Sequence, residues 1–125
     1  MNKVKYTTKD FKQFQSIFME SVSKLGLTEW RYDFRRSSDD SISSISADLE
    51  QRAMSVRFTE AVEYDKSQVV DKGKEIRDAA EHEAIEVLLY PVRLLACKGR
   101  GDDIWNEADT MCHTIINRIQ FLVFG

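Results

Sequence analysis

AAEHEAIEVLL, residues Ala79 to Leu89, is the stretch on which the fold turns. Ile85, Leu88, Leu89, Val92, Leu95 and Ala96 recur at the i, i+3, i+4, i+7 spacing of a helix face. That stripe predicts a long helix with Asp71 as its cap. Pro91, the only proline, lacks an N–H and is expected to kink the helix or end it early. His82 and Glu86 fall one turn apart on one face, at the border of the stripe.

Working outward, a first helix runs from Thr7 or Thr8, either of which can cap it. Phe11, Phe14, Ile17, Phe18, Val22 and Leu25 repeat at helical spacing, and Gly26 ends it. Three alternating segments follow. Trp30, Tyr32 and Phe34 mark one strand, Ile45, Ala47 and Leu49 a second, and Met54, Val56 and Phe58 a third. Short connections predict an antiparallel meander with one face on the helices. The first half of Ser37 to Ser46 reads as a polar turn, and a loop is expected from Glu63 to about Val70. After the turn CKGRGDD, Asp102 or Asp103 should cap a last helix with Ile104, Ala108, Met111, Cys112, Ile115, Ile119 and Leu122 on its core face. The terminal FLVFG is expected to finish that helix, and an exposed Phe121 or Phe124 would favour self-association. The expected fold is therefore α+β over a single domain, 1–125. It comprises an N-terminal helix, a three-stranded antiparallel sheet and two C-terminal helices.

The 125 residues suffice for one small domain, and 42% hydrophobic with 31% charged residues predicts a globular chain. A net charge of −3 argues against a general affinity for nucleic acid or an anionic membrane. MNKVKYTTKD has no apolar core of signal-peptide length, so the expected location is the cytoplasm, with Cys97 and Cys112 reduced. WRYDFRR interleaves aromatics with arginines, but a strand with its aromatic face buried accounts for it better than a nucleic-acid platform. CKGRGDD has no preceding strand and no Lys-Ser/Thr, so it is not a phosphate loop.

The chemistry lies in His82-Glu83-Ala84-Ile85-Glu86. In His-Glu-x-x-His helices two imidazoles hold zinc and the glutamate acts as general base. Here Glu86 stands at the second ligand position, making the site harder and less zinc-selective. Glu83, the base position, is expected to point toward solvent or a cleft. His113, Asp109 or Cys112 on the last helix, or none of them, would supply a third ligand.

From Gly26 onward the chain resembles a family of small phage- and prophage-encoded minimal metallopeptidases of the zincin type. LGLTEWRYDF, SADLEQRAMSVRF, AAEHEAIEVLL, YPVRLLA and CHTIINRIQFLVF carry the likeness in order and spacing, over about 100 of the 125 residues. Family members have a second His where this chain has Glu86. They tend to have acidic residues where it has Met111 and Cys112. The resemblance implies a zincin-like domain with Glu83 catalytic and His82, Glu86 and His113 as metal ligands. The metal would be divalent, zinc first with manganese or iron as alternatives, or the site holds none. It also implies a protein or peptide as substrate or partner, with a homodimer allowed, in the host cytoplasm if the chain is viral. Activity is either kept or lost. The alternative is a non-enzymatic binding or inhibitor protein on the same scaffold, acting on a host defence or regulatory protein.

Overall fold

The computed structural model describes residues 2–39 and 41–125. Asp40, part of the expected polar turn, lies outside the described residues. The chain is α+β, in the order β1 (Asn2–Lys5), α1 (Thr8–Lys24), β2 (Arg31–Arg36), β3 (Ser43–Asp48), β4 (Ala53–Phe58), β5 (Ala61–Tyr64), α2 (Lys72–Cys97) and α3 (Asp102–Val123).

Local chemistry sets the helix ends. Thr7 caps α1 in a capping box: its hydroxyl accepts from the Asp10 N–H, and the Asp10 carboxylate accepts from the Thr7 N–H. The exit is a Schellman turn. Gly26 takes φ +74°, the Leu27 N–H donates to Val22 O and the Gly26 N–H to Ser23 O. Asp71 caps α2 by accepting from the Lys74 N–H. At α3 the cap is Gly101, and Asp102 and Asp103 instead occupy the first turn, where they favour the positive end of the helix dipole.

The sheet differs from the expected meander. Its order is β2-β4-β3, with β2 parallel to β4 and β3 antiparallel to it. The strand buried along nearly its whole length, β4, takes the centre. The link between β2 and β3 spans six residues, reaching at most ~20 Å. That suffices to skip one strand position of ~4.8 Å. Arg57, buried on β4, pins this crossover: its guanidinium donates to Ser37 O, to Ser41 O and Oγ, and to Ser44 Oγ. A second sheet pairs β1 with β5, from Asn2 opposite Tyr64 to Lys5 opposite Ala61. β5 thus replaces the start of the expected loop. Its alternation is too short to register in sequence.

The core lies between the sheet and the α1/α2 layer. Phe58 is its hub, stacked on Phe14 with centroids 4.5 Å apart and met edge-on by Tyr6 at 5.1 Å. α2 runs through Pro91 without ending. One lost hydrogen bond is tolerated where 26 residues are held by neighbours. The face it buries shares only its start, Ile85, with the stripe read from sequence. Ile76, Ala79, Ala80, Ala84, Ile85 and Val87 are buried, while Leu88, Val92 and Leu95 are exposed. The small alanines let α1 approach closely, which rotates the larger residues outward. On α3, among the described residues, Ile116 alone is fully buried, so the expected core face and the FLVFG end are largely open to water. No helix among the described residues is long and apolar enough to cross a membrane.

Candidate metal centre

α2 and α3 pack antiparallel, as shown by Arg93 meeting Asp109 and His82 meeting His113. This brings together one potential ligand atom each from His82, Glu86 and His113, all within 4.8 Å of one another. His82 Nε2 lies 3.8 Å from Glu86 Oε2, and the two imidazole centroids are 5.2 Å apart with planes tilted 35°. Three donors at ~2.1 Å from one ion lie roughly 3.4 Å apart in tetrahedral geometry. The observed separations, up to 4.8 Å, exceed this by little more than an ångström, so the three residues could hold a divalent ion with a small closing shift. Asp109 and Cys112 are not among the converging atoms.

Hydrogen bonds orient two of the three donors, His113 and Glu86. His113 Nδ1 donates to Asp109 O at 2.7 Å, which leaves Nε2 as the free lone pair. Burial lowers the His82 pKa below its ordinary value, outweighing the opposite pull of Glu86, so its ring is neutral and able to ligate. Glu86 is held by Arg93 Nη2 at 3.2 Å, and Arg93 Nη1 reaches Asp109 at 2.7 Å. The guanidinium lies over the rings of both Tyr90, 4.9 Å away, and Trp105, 4.6 Å away. Arg93 was missed in sequence although it left a signal. It is the one charged residue between Val87 and Cys97 and lies two turns from Glu86.

Glu83 departs from expectation. It is 3% exposed, turned 100° from His82 toward β3, and accepts a hydrogen bond from the Ser43 hydroxyl. Burial pushes its carboxyl well above the usual glutamate range and the adjoining Glu86 carboxylate adds to this, while Ser43 and the Arg57 charge pull the other way. Burial thus favours its neutral form. Ser43, unlike Arg93, carries no mark in sequence, because only the β2-β4-β3 order brings it against α2.

A cleft of about 720 Å³ opens beside the centre. Ser41–Ser43, His82, Glu83, His113 and Phe121 are among its walls, and the carboxylates of Asp78 and Glu81 flank it. No protein-family model, curated protein or solved structure matches the chain.

Proposed function

We propose that the chain is a phage-derived, metallopeptidase-like hydrolase with an altered donor set: His82, Glu86 and His113 in place of two helical histidines and a distant acid. The observation that carries this is the convergence of those three donors beside a cleft of peptide size. Two imidazoles and one carboxylate make up the donor set of one catalytic zinc class, here with the order of Glu and His exchanged. The same set suits manganese or iron. A bound divalent ion would supply Lewis-acid polarisation of an amide carbonyl and acidify water.

The chain's own residues do the rest. Arg93 holds Glu86 in place, and Asp109 O holds the His113 tautomer. β3 is an edge strand bordering the cleft, so an extended peptide can add to it. In this reading the Glu83 carboxylate would take a proton from the attacking water and pass it to the leaving amine. The test is cleavage of a peptide library by protein loaded with zinc or manganese. Cleavage that disappears in Glu83→Gln while metal binding persists supports the proposal. Metal-loaded wild type that cleaves nothing overturns it. One observation favours the binding-protein reading instead: Glu83 is closed in behind Ser43, a posture suited to holding the fold together more than to meeting water.

A further inference from the structure

The last helix presents a second feature, independent of the metal. Ile104, Ala108, Met111, Ile115, Arg118 and Leu122 are spaced four and three residues apart, the a/d pattern of a coiled-coil seam. This seam does not face α2, which is met by Asp109, His113 and Gln120. At ~100° per residue it lies roughly 140–180° from those residues. The Leu88, Val92 and Leu95 stripe of α2 is turned by about the same angle in the same sense. Since the two helices are right-handed and antiparallel, both stripes emerge on one side of the hairpin.

Leu88, Val92, Leu95, Ile104, Met111 and Ile115 are 37 to 69% exposed, and Leu122 is 80% exposed. Together they leave on the order of 600–700 Å² of apolar surface open, at the upper limit for a lone soluble chain. A standard interface takes about 800 Å² from each partner, which this patch and a polar rim would supply.

The seam also says what covers it. Its residues pair with themselves about one point, level with residue 113. Met111 stands as far before that point as Ile115 stands after it, and Ile104 as far before as Leu122 after. Ala108 stands likewise to Arg118, and Glu107, beside the seam, lies within a residue of the same relation to Arg118. An antiparallel pairing of two α3 helices therefore sets Met111 of each copy on Ile115 of the other, and Ile104 on Leu122. Arg118 then passes over Ala108 and reaches Glu107. A two-fold interface requires this self-complementarity.

We propose that the chain forms a two-fold homodimer through antiparallel α3 seams, with the exposed stripe of each α2 completing a four-helix layer. Because α3 carries His113 on its opposite face and is otherwise held mainly by α2, the dimer would fix the third donor of each centre. Sedimentation equilibrium of the full metal-free chain tests this. Wild type should have twice the chain mass at 20 µM. Met111→Glu should raise the dissociation constant at least about a hundredfold, since its carboxylate meets apolar groups twice across the axis. Circular dichroism of Met111→Glu should match wild type, as an exposed position allows. Glu107→Arg and Arg118→Glu should each weaken the dimer, and the double exchange should restore it. A wild-type chain monomeric at 100 µM, or a Met111→Glu chain as dimeric as wild type, overturns the proposal. Exchange variants that are not restored in combination overturn the antiparallel register.

Discussion

Replacing Arg93 by methionine keeps most of the side-chain volume and removes the charge that Glu86 leans on. Glu86 is 8% exposed and Arg93 5%. Stranding one member of a buried pair costs about 3–5 kcal/mol. The two aromatic faces at 4.9 and 4.6 Å contribute ~1 kcal/mol each when desolvated, part of which a thioether recovers. Asp109 is 41% exposed at its side chain, so its bridge adds no more than ~1 kcal/mol. The expected loss is about 4 kcal/mol, or roughly 10–20 °C in Tm for a chain of this size. Urea unfolding followed by tryptophan fluorescence measures it. Glu86→Gln in the same chain removes the stranded charge and should recover about half, as a double-mutant cycle reads directly. A saturating divalent ion should stabilise Arg93→Met more than wild type, because it supplies the missing positive charge. An Arg93→Met chain within 1 kcal/mol of wild type, or a double variant no more stable than the single, would refute the role given to this pair.

Other outcomes follow from the same structure. Glu83 has a folded pKa raised above its unfolded value, so its contribution is full below the ordinary glutamate pKa, 4.5, and is lost as pH rises above it. Glu83→Gln should therefore raise the metal-free stability at pH 7 and flatten its decline from pH 4.5 upward; an unchanged pH profile of urea midpoints would contradict the upward shift of this buried carboxyl. Tyr32, whose hydroxyl donates to Leu27 O, has its pKa pushed up to about 12, chiefly by burial. Its contribution is full below the ordinary value of 10 and fades between 10 and 12, so Tyr32→Phe should lessen the alkaline loss of stability seen in midpoint measurements across that range. Arg57→Met should cost about 3 kcal/mol by freeing the crossover it pins, and should raise amide exchange at Ser41–Ser44 before exchange in α1.

The helices were legible because capping and apolar spacing are local. Thr7, Asp71 and Gly26 act within a turn of their own position. The four-residue β1 and β5 were not legible, whereas β2, β3 and β4 were, for the same reason, from the alternation through Tyr32, Ile45 and Val56. Their order was not, since Arg57 and the buried length of β4 select it through contacts distant in sequence. The stripe on α2 misled in an instructive way. Large apolar residues at Leu88, Val92 and Leu95 outweighed alanines in the pattern, yet alanines permit the closer approach to α1. His82, Glu86 and His113 could be named from spacing and resemblance. The roles of Arg93 and Ser43 depend on two elements meeting, which one-dimensional spacing does not contain.

The central claim is that one ion is shared between α2 and α3. Equilibrium dialysis of untagged protein against zinc or manganese, with metal counted by mass spectrometry, tests it most directly in wild type and His113→Ala. The account predicts one equivalent per wild-type chain and at least a hundredfold weaker binding in His113→Ala, with the fold unchanged by circular dichroism. A wild-type chain that retains no metal, or a His113→Ala chain that binds as tightly, would contradict it.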